Sequence, residues 1–208
     1  MLSSAYKFIF LHVPKTGGNA VQTNLLPLSE DHKVTNLSQD GFHRFGIIGS
    51  LTPRKHAVLS EYSDILGDDL NSYKTVISYR PPFERMVSLY FSGHRWTASE
   101  PVWSEEQFIS LVKRTPTTAD FLRIKGKIVR PDFVLRFDDL QVDFSSLVNA
   151  LSLPLQNTVL PTLNSSAATS EMVKSILSDK NLRNIVNEIA REDCDLLQTA
   201  DADRKIFE

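Results

Sequence analysis

Phe8-Ile9-Phe10-Leu11-His12-Val13-Pro14-Lys15-Thr16-Gly17-Gly18-Asn19-Ala20 decides the fold, because an apolar run stops at a lysine, a hydroxyl and two glycines. The run reads as a buried strand near residues 6–13 that feeds an anion-binding turn. Gly17 and Gly18 permit positive φ and close backbone approach, so successive N–H groups can converge on a phosphate. Val21, Leu25 and Leu26 then share one helical face, which Pro27 ends. The N-terminus of that helix adds its dipole and free amides to the same site. A Walker A loop, G-x-x-x-x-G-K-[ST], carries its lysine after the last glycine. Here the lysine comes first, which removes the main support for a nucleoside triphosphatase.

A second segment repeats the strand-to-helix pattern. Lys74-Thr75-Val76-Ile77-Ser78-Tyr79 reads as a strand, Arg80 follows it, and Pro81-Pro82 opens a new element, proline being well tolerated in the first helical turn. Phe83, Met86, Val87, Tyr90 and Phe91 form an apolar stripe at helical spacing, expected to pack a helix against a sheet. Arg80 and Ser88 fall outside the stripe. The arginine offers a planar fork of donors to a phosphate and the serine a hydroxyl; a surface ion pair and an ordinary helix-surface serine are the plainer readings.

The first segment resembles the 5′-phosphosulfate loop of the sulfotransferases that use 3′-phosphoadenosine 5′-phosphosulfate (PAPS). It is closest to the carbohydrate sulfotransferases of the heparan sulfate 2-O/6-O type, with Asn19 where threonine is usual. An asparagine amide can still donate to a phosphate oxygen. Tyr79 to Tyr90 is similar to the 3′-phosphate element Arg-Asn/Asp-Pro-x-x-Arg-x-x-Ser-x-Tyr, with Pro81 in place of Asn or Asp. The resemblance implies donor contacts from Lys15, Thr16, Gly17, Gly18, Asn19, Ala20, Arg80 and Ser88. It also implies that Lys15 steadies the departing 3′,5′-bisphosphate (PAP). His56, in Arg54-Lys55-His56-Ala57, matches the region of the catalytic histidine and suits removal of an acceptor proton. His12 is the rival, expected to shape the strand end, ahead of His32, His43 and His94. The family requires no metal, and Cys194 and the scattered histidines have no ligand spacing.

Residues 132–137 read as a third strand turning into a helix near Asp138 or Asp139, similar to the family's Leu-Arg-Phe/Tyr-Glu-Asp/Asn-Leu segment. Arg136 is assigned there to a salt-bridge network. Leu160-Pro161-Thr162-Leu163-Asn164-Ser165-Ser166 resembles a donor-closing loop in which Thr162 replaces histidine, so Asn164 and Ser166 stand between donor contacts and a plain Ser-rich linker.

The 208 residues, 41% hydrophobic, suffice for one domain with a real core, and 1–208 is read as a single sulfotransferase domain. A net charge of −2 argues against a general nucleic-acid binder. Lys113, Arg114, Arg123, Lys125, Lys127 and Arg130 remain either a solvated face or a site for a polyanionic acceptor. No signal peptide or anchor is read at the N-terminus, and Phe8 to Val13 falls far short of the roughly 20 apolar residues that span a bilayer. With a single cysteine, this points to a cytoplasmic protein. Ser104 is expected to cap a helix to about Lys113 with Gln107 in a capping box, and residues 181–198 to form one helix covering the sheet.

The expected fold is α/β: a P-loop-like three-layer arrangement with a central parallel sheet flanked by helices, with further strands near 45–49 and 56–59. The expected function is transfer of a sulfuryl group from PAPS to an acceptor hydroxyl, on a glycan in preference to a small phenol, with loops 28–55 and 92–130 shaping the acceptor site. A nucleotide phosphotransferase and a nucleotide-binding module without catalysis stand as alternatives.

Overall fold

The computed structural model describes residues 1–34, 46–92, 102–162 and 171–196. In chain order the elements are β1 (Leu2–Ser3), β2 (Phe8–Leu11), α1 (Gly18–Leu25), β3 (His32–Val34), β4 (Gly46–Ile48), α2 (Leu59–Leu66), β5 (Lys74–Tyr79), α3 (Pro82–Tyr90) and α4 (Glu105–Arg114). There follow α5 (Thr118–Phe121), β6 (Arg123–Ile124), β7 (Lys127–Ile128), β8 (Phe133–Arg136), α6 (Leu140–Ala150), α7 (Glu171–Leu177) and α8 (Lys180–Ile189). The chain forms two compact units, Met1–Tyr79 with Asp120–Leu163, and Arg80–Ala119 with Asn164–Glu208.

The first unit holds a four-stranded sheet in the order β1-β2-β5-β8. The β2–β5 and β5–β8 pairs are parallel, and β1 adds an antiparallel edge. A parallel strand covered on both faces needs an unbroken apolar run, and Phe8–Leu11 is buried at every position. Phe8, Phe10, Val76 and Leu135 pack with Val21 and Leu25 of α1 and with Phe144, Leu147 and Val148 of α6. Ile9, Leu11 and Ile77, on the opposite side of the pleat, are equally buried. The result is a mixed α/β unit whose parallel strands are flanked by helices. Leu11 lies opposite Ile77, so β2 and β5 run side by side toward their C-terminal ends, the edge where open sheets gather ligands.

The strand read at 74–79 has those bounds, whereas β2 and β8 are shorter than expected. Strand β4 forms within 45–49 but pairs antiparallel with β3, outside the main sheet. The strand expected at 56–59 is absent: His56 and Ala57 lie in a turn, and Val58 begins α2. Glu61 accepts the Val58 N–H at 2.9 Å and Leu59 and Tyr62 are buried at helical spacing, so the short apolar run belongs to a helix start.

Arg136 sits in the expected network. Its Nε donates to Asp143 Oδ2 at 2.9 Å, its Nη2 to Oδ1 at 2.6 Å, and its backbone N–H to Oδ2 at 2.8 Å, which latches β8 to α6. Both side chains are largely covered, and Asp139 lies 3.5 Å from the same guanidinium, so removing Asp143 breaks the short pair and leaves Arg136 only weaker compensation. Asp143→Ala is expected to lower stability by about 2–4 kcal/mol, read as a lower urea midpoint at constant m.

In the second unit, Phe83, Met86 and Val87 pack against Phe108 and Val112 of α4, Val173 and Ile176 of α7, and Leu182 and Val186 of α8. The α3 stripe is therefore buried on helices where a sheet was expected; periodicity shows that a face is covered, not by what. Ser104 caps α4 by accepting the Gln107 N–H at 3.3 Å. The long C-terminal helix is broken: α8 ends at Ile189, Ala190 leaves helical geometry, and helix resumes at 191–196. Here too the partners are helices, α3 and α4. Asp193, fully buried in that last segment, accepts the amides of Thr118 and Ala119 at 2.8 and 2.7 Å. Burial raises its pKa, against the opposing pull of those amides and of Arg85. The neighbouring Cys194 thiol is pushed up by burial and by Asp193 and Asp195, which disfavours a thiolate nucleophile. Among the described residues no helix is long and apolar enough to cross a membrane.

Candidate active site

The turn after β2 is built by close approach. Lys15 and Gly17 both adopt positive φ, at 73° and 82°, and Gly17 caps α1 without any side-chain bond. A Cβ on Gly17 would lie 2.7 Å from Leu140 Cδ2 and 3.4 Å from Phe137 Cδ2. Gly18 is required for a different reason: a Cβ there would lie 2.2 Å from the His12 ring carbon Cδ2 and 2.6 Å from Nε2. Thr16 is buried, and its hydroxyl donates to the Val13 carbonyl at 2.7 Å and shares a 2.6 Å hydrogen bond with the Ser78 hydroxyl of β5. That hydroxyl ties the loop to the sheet, which leaves the Thr16 amide as the group to offer a ligand. The Ala20 amide closes the first helical turn on the Gly17 carbonyl at 3.0 Å, and Ala20 itself is buried. The Asn19 side-chain oxygen is buried with no hydrogen-bond partner.

Two histidines from distant parts of the sequence meet at this turn. The His56 ring packs edge-on against the His12 ring with centroids 4.5 Å apart, and His56 Nδ1 lies 2.8 Å from the His12 carbonyl oxygen. A carbonyl only accepts, so His56 Nδ1 carries a proton, and in the neutral form of the ring the lone pair lies on Nε2. His12 is buried, with Nδ1 2.8 Å from Gln22 Oε1 of α1. Burial first, then electrostatic repulsion by the neighbouring His56 and Lys55 side chains, holds the His12 pKa well below the ordinary histidine value. A depressed histidine adds stability above its unfolded pKa of about 6.5 that is lost as pH falls toward the folded value, because only the unfolded chain takes up the proton. Denaturation below pH 6.5 is therefore expected to show a loss of up to about 1.4 kcal/mol per pH unit that His12→Gln lacks.

Arg80 follows β5 directly, and Ser88 lies half-buried on α3; both belong to the second unit. Asn164 and Ser166 lie outside the described residues, as do His43, His94 and much of the loops expected to shape the acceptor site. Two residues of this neighbourhood were passed over in the sequence: Gln22, inside α1, and Lys55, only 1% exposed and close enough to His12 to act on its charge. Lys55 was visible as the middle of a basic triplet, whereas Gln22 carried no signal beyond a polar residue on an otherwise apolar helix face.

An α/β sheet with a glycine turn and an oriented histidine at the same strand end is an arrangement suited to group transfer. The model of the sulfotransferase family matches residues 1–199, and the chain belongs to that family, a transferase of sulfuryl groups. No curated protein and no solved structure matches it.

Proposed function

We propose that the protein transfers the sulfuryl group of PAPS to an acceptor hydroxyl on a carbohydrate, in the cytoplasm, with PAP as the second product. His56 Nε2 takes the acceptor proton as the acceptor oxygen forms its bond to sulfur. The bond from sulfur to the 5′-phosphate oxygen breaks, and Lys15 meets the charge that develops there. The amides from Lys15 to Asn19, in a P-loop-like cradle, hold the 5′-phosphosulfate, and Ala20 lines that cradle at the start of α1. Arg80 and Ser88 keep the 3′-phosphate role that the resemblance implies. The chemistry rests on positioning and charge, with no step assigned to a metal.

The observation that carries this reading is the 2.8 Å contact of His56 Nδ1 with the His12 carbonyl, which brings a histidine with its lone pair on Nε2 to the start of the glycine turn. Asn19 adds support. Its amide oxygen has no partner, and turning the amide over presents a donor in the same place, as a phosphate oxygen requires. Calorimetric titration with PAP, against ATP and 5′-AMP, tests the donor site. Selective PAP binding is expected, weakened at least tenfold, or about 1.4 kcal/mol, in Lys15→Ala and in Arg80→Ala. Preference for ATP, or no binding, removes the PAPS reading.

A further inference from the structure

We infer that His12 is a positioning residue for the transfer step, with its own orientation set by Gln22. The inference rests on the assignment of His56 as the base. Three contacts fix the His12 ring: Gln22 Oε1 on Nδ1 at 2.8 Å, the Gly18 backbone where no Cβ fits, and the edge of the His56 ring at a centroid distance of 4.5 Å. A buried neutral imidazole bonded to an amide oxygen is locked in one tautomer and one rotamer. It therefore forms a rigid wall for His56, whose Nδ1 is already held by the carbonyl of the same residue. Backbone and side chain of His12 thus restrain two different degrees of freedom of His56: the carbonyl sets which nitrogen is protonated, and the ring limits how far the imidazole can turn about that bond. The Gln22 Nε2 donor is buried without a partner, so Gln22 sits there at an energetic cost that fold stability alone does not explain. Orientation of His12 is the return for that cost. His12 itself accepts no proton from the substrate.

The test uses the full chain labelled with ¹⁵N-histidine and compares wild type, His12→Ala and Gln22→Met by three readouts: two-bond ¹H–¹⁵N spectra, PAP affinity, and kcat against donor KM. In the wild type His56 is expected in the Nδ1–H tautomer. In His12→Ala the carbonyl remains, but without the ring wall His56 turns off that bond part of the time, so it is expected to populate both tautomers, with kcat lower by about 10–100-fold and with PAP affinity and donor KM within about twofold. Gln22→Met is expected to shift all readouts in the same direction by a smaller factor, and it decides the matter where His12→Ala fails to fold. An unchanged tautomer and kcat in the variants overturns the inference. So does a parallel fall in PAP affinity and kcat with the tautomer intact, since His12 would then merely support the turn. A wild type that binds no PAP removes the donor reading, and the tautomer comparison still decides whether His12 orients His56.

Discussion

His56→Asn is expected to lower kcat by roughly 10²–10⁴-fold while PAP affinity stays within about twofold. Asparagine separates the two jobs of the ring. Its amide nitrogen can stand where Nδ1 stands and keep the bond to the His12 carbonyl, so the turn and the neighbouring histidine hold their places. What disappears is the Nε2 lone pair. His56→Gln places its polar group nearer Nε2 and forfeits the carbonyl bond, so it is expected to lose both activity and some stability. Transfer by His56→Asn at close to the wild-type rate would remove His56 from the chemistry and leave the protein without an assigned base.

Gly18→Ala carries the second large effect. In an open helix this change stabilises, since glycine in a helix interior costs roughly 0.5–1 kcal/mol relative to alanine. Here the new methyl would lie 2.2 Å from a ring carbon of His12, and that ring cannot swing away without losing Gln22. The clash outweighs the propensity gain, and a net loss of about 1–3 kcal/mol is expected, together with loss of transfer activity as His12 pushes against His56. A double-mutant cycle gives the decisive reading. Gly18→Ala is expected to cost much less in a His12→Ala background, with a coupling above about 1 kcal/mol by urea denaturation. Equal costs in the two backgrounds would show that the close approach does not govern Gly18.

Local patterns of the chain were more legible in the sequence than its packing partners. Lys15, Gly17 and Gly18 announce themselves because a turn needing positive φ and close approach has few alternatives to glycine. The strand at 74–79 stood out because Thr75, Val76, Ile77 and Tyr79 are strand formers in one short run that ends at Arg80 and two prolines. The Ser104 cap and the Arg136 network were readable for the same reason, since each is a local pattern with a local cause. The failures concern partners distant in sequence. Nothing in Phe83, Met86 and Val87 states that helices cover them. Nothing near His56 states that the run after it starts a helix, because three or four apolar residues serve a strand and a helix start equally well. Strands β6 and β7 pair across Lys125 and Gly126, both at positive φ, in a hairpin too short for periodicity to register. The link from Gln22 through His12 to His56 was invisible because it runs between three segments that only the sheet brings together.

The parallel pairing of β2 with β5 and of β5 with β8 has a consequence for how the chain reaches this state. Phe8 pairs with Lys74, and Val76 with Phe133, so no strand of the parallel core finds its neighbour nearby in sequence. On a ribosome, β2 emerges as a bare apolar segment and has no parallel partner until β5 has been made; the sheet is complete only after β8 has followed. Such topologies fold slowly, because the entropy of closing long loops is lost before the pairing contacts form. The strand that feeds the glycine turn therefore spends the longest time exposed during synthesis, which makes Phe8–Leu11 the segment where chaperones would bind first and where aggregation would begin.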